Sequence, residues 1–194
     1  MYKRQKLFRE SNPEDIPWQS VGAEVIFECT GVFKDREGAS RHLKAGAKKV
    51  LISAPAKGDD IKTIIYGVND GIIEASDEVL SVGSCTTNCL APIAKILNDE
   101  IGIKKGFVTT IHAFTNDQNT ADGTHKDLRR ARAASLSMIP TSTGAAKAIS
   151  KAIPELSGKL DGVAIRVPTP NVSLVDLCFL ADKSASVAEI NSLI

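Results

Sequence analysis

Residues 84–89 read SCTTNC, and the apolar run LAPIAKIL follows directly at 90–97. This stretch divides two styles of chain. Upstream, AEVIFEC (23–29) predicts a buried strand, TGVF a turn, and DREGASRHLKAGA (35–47) an amphipathic helix ended by Gly46. KKVLISAPA (48–56) and TIIYGVND (63–70) predict two more strands. Strand, helix, strand in this tempo points to a parallel sheet with crossover helices. Downstream, helix 89–98 leads through GIKKG to a strand, FVTTIHAFT (107–115). A polar loop follows, then a capped helix in STGAAKAISKAIPEL (142–156) and two longer strands in 162–182, broken at Pro168-Thr169-Pro170. That half reads as helices against an antiparallel sheet, and the boundary falls near Gly83. The fold class is therefore α/β followed by α+β.

Composition narrows the function. The 194 residues carry a formal charge of +1 with acids and bases interspersed, so no overall field favours nucleic acid or anionic membranes. No apolar run reaches the ~20 residues needed to span a bilayer, and the basic opening MYKRQKLFRE has no apolar core that would mark a secretory signal. MYKRQ itself reads as an added scar. The cysteines, Cys29, Cys85, Cys89 and Cys178, show no metal-ligand spacing, which fits a reduced, intracellular protein without a metal.

A cysteine in the first turn of a helix meets unpaired N–H groups and the positive end of the macrodipole, which favour thiolate. Cys85 has that position, with Ser84 and Thr86 beside it; Cys89 lies one turn deeper on the same face. The same letters also describe a plain Ser84 cap over a small buried cysteine. A nucleophilic thiolate wants a base. His112, at the end of a strand, suits the role better than His42, expected at the surface of its helix, or His125, in the loop beside Lys126 and Asp127.

Anion recognition is the third theme. Thr143-Gly144 opens a helix, giving N–H groups and a hydroxyl. Arg166 sits in the hydrophobic strand AIRVP, where an Arg needs an anionic partner. Arg129, Arg130 and Arg132 form a basic cluster. A capped helix, a solvated cluster and a structural ion pair would account for each feature separately.

Taken in order and at these intervals, SCTTNCLAPIAK, TTIHAFTNDQ, HKDLRRARAA, STGAAKA and RVPTPNVSLVDL closely resemble phosphorylating glyceraldehyde-3-phosphate dehydrogenases. Upstream, AEVIFECTGVF, AGAKKVLISAPAKG and YGVND resemble that family's cofactor domain, so the likeness runs from about Leu7 to the C-terminus. The resemblance implies part of a Rossmann-type NAD-binding domain at 1–83 and a catalytic domain at 84–194. It implies Cys85 as nucleophile and His112 as base. Thr115 and Arg166 would hold the substrate's phosphate, Ser84, Thr143, Gly144 and Arg130 would serve the attacking phosphate, and Thr86 joins these substrate- and phosphate-binding residues as a hydroxyl beside Cys85. Thr30, Gly31, Phe33, Ser53 and Asn116 would line the cofactor, NAD or NADP. Implied partners are glyceraldehyde 3-phosphate, inorganic phosphate and, at full length, three further copies in a cytoplasmic homotetramer whose S-shaped loop is here 117–137.

The family also begins with a Gly-rich turn for the dinucleotide pyrophosphate and ends in a long helix. Neither is visible here, and no GxGxxG occurs. The sequence thus reads as an internal fragment with little activity by itself and a tendency to aggregate through unpaired strands. Gly83 stands where the family usually has alanine. Gly123-Thr124, in the loop that selects between the dinucleotides, matches neither common form. The alternatives are an erythrose-4-phosphate dehydrogenase, disfavoured by STGAAKA and the proline of RVPTPNVS, and a non-catalytic binding module.

Overall fold

A computed structural model describes residues 5–194; the reading of MYKRQ as a scar falls almost wholly outside them. The described residues form two compact units, one ending at Ser84 and the other Cys85–Ile194.

In the first unit, β1 (Val25–Glu28), β2 (Lys49–Ile52) and β3 (Val79–Ser81) form a parallel sheet in the order β1-β2-β3. The crossover α1 (Arg36–Lys44) starts at Asp35, whose carboxylate accepts from Gly38 N–H at 2.8 Å. It ends before Gly46, at φ 100°, where a Cβ would be strained. Ala39 of α1 packs with Val50, Ile52, Ile61 and Val79 into a core.

Three expectations change here. TIIYGVND is not a strand: Thr63 makes one isolated bridge to Ser81, and Gly67 turns the chain at φ 76°. The strand lies instead in EVLS, whose flanking acids hide the short buried run Val79–Ser81. β1 is buried on one face only, leaving Phe27 68% exposed.

His42 is not at the surface. It is 5% exposed, on the face of α1 turned toward the sheet, and its ring lies edge-on to Phe33. Trp18 Nε1–H donates to Nδ1 at 3.2 Å, which leaves the Nε2 proton for Glu28 Oε2 at 2.9 Å. A charge-bearing group can occupy that position because the partners satisfy both ring nitrogens.

In the second unit, α2 (Cys85–Glu100) runs 16 residues, longer than expected, burying Leu90, Ala91, Ala94 and Leu97. Pro92 lies in the middle of this helix, where it donates no N–H to the turn before it. β4 (Ile103–Ala113), β5 (Ile139–Ser142), β6 (Leu160–Val167) and β7 (Ser173–Ala181) form a sheet of order β5-β6-β4-β7. The sheet is mixed: β4–β7 and β5–β6 run antiparallel, but β4 and β6 are parallel. The strands flanking the PTP break are therefore not neighbours; β4 lies between them. β5 was not foreseen, since IPTS is short and contains proline. α3 (Ala145–Ala152) follows β5, and α4 (Val187–Leu193) follows β7 with a capping box from Ser186 and Glu189.

Candidate active site

Cys85 is the first residue of α2, and its side chain is exposed rather than a buried filler. Its Sγ lies 3.2 Å from Nε2 of His112. His112 is the penultimate residue of β4, so backbone pairing on both sides fixes where its ring can go. On its far side, Nδ1 lies 2.6 Å from the Ala113 carbonyl oxygen and 2.7 Å from Arg166 Nη1. The parallel register of β4 and β6 sets Arg166 directly opposite His112.

Among the described residues Arg166 meets an imidazole and a carbonyl rather than an anionic side chain: Nη1 also donates to Ala113 O at 3.0 Å. Its Nε is buried without a partner among the described residues. Burial pushes the guanidinium down from its ordinary value; the charges of Cys85 and Asp117 oppose this and that of Arg130 adds to it.

A cavity of about 440 Å³ opens on this cluster, lined by Cys85, Cys89, His112, Thr115, Asn171 and Val172 among others. Cys89 is exposed there, not deeper as expected, because one helical turn from Cys85 runs along the cavity wall. Thr86 also lines it, and Ser84 immediately precedes the helix. Val172 has φ 62°, rare and costly for a β-branched residue.

Behind Thr115 runs a network that the sequence reading missed. Thr115 N–H donates to Gln118 Oε1 at 3.0 Å, and the buried Gln118 donates to Asp117 at 3.0 Å. Asp117 pairs with Arg130, whose Nε donates to Thr141 Oγ1 at 2.8 Å. The letters NDQ directly after the histidine motif were the available signal. The basic cluster is neutralised: Arg129 pairs with Asp127 and Arg132 with Asp122. Asn116 is exposed. Thr143 and Gly144 lie at the start of α3, where Thr143 Oγ1 accepts from Ala145 N–H at 3.1 Å. They follow β5, whose Thr141 is the partner of Arg130.

In the first unit, Thr30-Gly31 and Ser53 follow the carboxyl ends of the adjacent strands β1 and β2, the end where open parallel sheets bind ligands. Glu28 holds this turn by accepting from Thr30 N–H at 2.6 Å and from its hydroxyl. Gly31, at φ 73°, leaves open space where a Cβ would stand, and Phe33 closes the loop beneath Arg41. The open space at Gly31, next to the hydroxyl-bearing Thr30, leaves room for a ligand at this strand end. Among the described residues no group of His, Cys, Asp and Glu could hold a metal ion, and no helix is long and apolar enough to cross a membrane.

A family model described as the C-terminal domain of glyceraldehyde 3-phosphate dehydrogenase matches residues 84–194. The chain belongs to the glyceraldehyde-3-phosphate dehydrogenase family. It is 58% identical over 192 residues to the glyceraldehyde-3-phosphate dehydrogenase of Clostridium acetobutylicum, covering 98% of this chain and 57% of that protein. It is 59% identical over 189 residues to that of Xanthobacter flavus, covering 97% and 56%. With the enzyme of Cereibacter sphaeroides it shares 60% over 183 residues, covering 94% and 54%. The chain thus spans somewhat more than half the length of these relatives. The α/β fold with a mixed, mostly antiparallel second sheet agrees with the family's catalytic domain.

Proposed function

We propose that this chain carries the catalytic machinery of a phosphorylating glyceraldehyde-3-phosphate dehydrogenase, acting in glycolysis in the cytoplasm. The contact of 3.2 Å between Cys85 Sγ and His112 Nε2 carries this reading. Cys85 thiolate attacks the aldehyde carbon, forming a C–S bond while the C=O π bond breaks and its oxygen takes a proton from solvent to become a hydroxyl. His112 Nε2 takes the proton of that hydroxyl as the carbon is oxidised. The nicotinamide dinucleotide supplies the hydride acceptor; Thr30, Gly31, Phe33, Ser53 and Asn116 are the residues of this chain that would hold it. NAD is favoured, and NADP is the alternative. Inorganic phosphate then attacks the acyl carbon of the Cys85 thioester, the C–S bond breaks, and the acyl phosphate, 1,3-bisphosphoglycerate, leaves with the thiolate restored.

Two anions need two sites. Thr115 and Arg166 hold the phosphate of glyceraldehyde 3-phosphate; Ser84, Arg130, Thr143 and Gly144 serve the inorganic phosphate, and Thr86 adds a hydroxyl beside Cys85. The first unit is read as half of the dinucleotide domain and the second as the catalytic domain. A homotetramer with the 117–137 loop between subunits is part of the same reading. Since no GxGxxG occurs in the 194 residues, turnover by this chain alone is expected to be little or none.

Thiol addition to an aldehyde needs no dinucleotide, so the chain itself provides the test. Glyceraldehyde 3-phosphate is expected to shield Cys85 from iodoacetamide at lower concentration than erythrose 4-phosphate does. Better protection by the four-carbon sugar would move the assignment to an erythrose-4-phosphate dehydrogenase. No protection by either would leave a non-catalytic module.

A further inference from the structure

His112 Nδ1 faces two partners that demand opposite things of it. The Ala113 carbonyl, at 2.6 Å, only accepts and so requires a proton on Nδ1. The Arg166 guanidinium, at 2.7 Å, only donates and so requires a bare lone pair. One nitrogen cannot satisfy both, and the choice fixes the other side of the ring. With Arg166 engaged, the single proton of the neutral ring sits on Nε2 and points at Cys85 Sγ, 3.2 Å away. With Ala113 engaged, Nδ1 carries a proton and Nε2 is able to receive one.

The two partners are not equally fixed. The Ala113 carbonyl belongs to the strand next to His112, whereas Arg166 reaches Nδ1 through a long side chain. Its Nε is buried with no partner among the described residues, and burial already disfavours its charge. An anion beside this guanidinium would give Nε the partner it lacks and compete directly for Nη1. Nη1 also donates to Ala113 O at 3.0 Å, so its withdrawal frees that oxygen for Nδ1–H as well.

We propose that Arg166 sets the tautomer of His112, and that an anion binding Arg166 switches Nδ1 from accepting the guanidinium to donating to the Ala113 carbonyl. The switch would prepare Nε2 as the proton acceptor only when an anionic substrate is in place. This rests on the reading of Arg166 as an anion-binding residue. The proton gained by Nδ1 comes from bulk water, and the one on Nε2 returns there, which leaves the ring neutral with its lone pair on Nε2.

The test is 15N NMR of the chain labelled at both histidine and arginine, at one fixed pH, with inorganic phosphate as the probe. Without phosphate, Nδ1 is expected at the position of an unprotonated ring nitrogen; saturating phosphate should move it to that of an N–H. Arg166→Met should show the N–H position with no response to phosphate, and Arg166→Lys, which keeps a donor, should restore part of the response. An Nδ1 already protonated in the unmodified chain would overturn the role of Arg166. Phosphate that leaves both Nδ1 and the Arg166 Nε–H signal unmoved would overturn the anion step. The readout needs neither cofactor nor turnover, so failure of the dehydrogenase reading would leave it standing.

Discussion

Glu28 and His42 form a buried pair, Oε2 to Nε2 at 2.9 Å, with the two residues 2% and 5% exposed. The other carboxylate oxygen holds Thr30 through its N–H and hydroxyl. Burial pushes the Glu28 carboxyl up, but hydrogen bonds from Thr30 and His42 outweigh it and leave it below its ordinary value. Glu28→Ala strips His42 and the Thr30 turn of their partner and should cost the first unit about 3–5 kcal/mol. Trp18, the only tryptophan, donates to this same histidine. Its fluorescence in a urea titration therefore reports the loss directly.

The same pair sets a pH dependence. A carboxyl whose folded value is depressed stabilises above its unfolded value, and that contribution is lost as pH falls through the folded one. The stability gap between the unmodified chain and Glu28→Gln should thus be full at neutral pH and shrink in acid. Tryptophan-monitored urea midpoints across pH would check this; a gap that widens in acid would contradict it.

At neutral pH, iodoacetamide should modify Cys85 ahead of Cys29 and Cys178, because only Cys85 has an imidazole at 3.2 Å. Replacing His112 with alanine should slow Cys85 labelling about tenfold, the worth of about 1.4 kcal/mol in a barrier, and leave the other cysteines unchanged. Peptide mapping of the labelled chain gives the ratio.

Val172 stands at φ 62° and 80% exposed, so its strain is not offset by burial. Glycine would relieve about 1–3 kcal/mol of strain against an entropic cost of about 0.5–1 kcal/mol. Val172→Gly should therefore stabilise the second unit by about 1 kcal/mol, seen as a higher urea midpoint by circular dichroism. A lower midpoint would show that the valine is not strained.

Gly162 pairs with Val108 across the parallel strands, and a Cβ there would stand 2.5 Å from the Val108 carbonyl oxygen. Backbone cannot give way as a side chain end can. Gly162→Ala should cost about 2–3 kcal/mol, at the upper end of overpacking penalties, and disturb the His112–Arg166 pairing four residues on. Slower Cys85 alkylation together with a lowered melting temperature is the expected pair of results.

Much of this was legible locally. Asp35 before a 3.6-residue pattern and Gly46 after it marked α1, and apolar spacing from Leu90 marked α2, because caps and periodicity act over a few residues. Where the signal was non-local, it misled. The apolar run in TIIYGVND resembles a strand, yet Val79–Ser81 won the sheet position by pairing with β2. His42 looks like a surface residue until Trp18 and Glu28 are folded around it.

Cys85 and His112 stood out as candidate nucleophile and base by residue type and element ends, with a plain Ser84 cap as the alternative, and the resemblance to the family chose between the two readings. What folding decided was the company they keep. Arg166 is separated from His112 by 54 positions and meets it only because β4 and β6 pair in parallel at one register. A register slip of one residue would turn that side chain to the opposite face. Chain-local forces choose helices, caps and the cysteine's helix terminus; the pairing of distant strands chooses which nitrogen of His112 the arginine can reach.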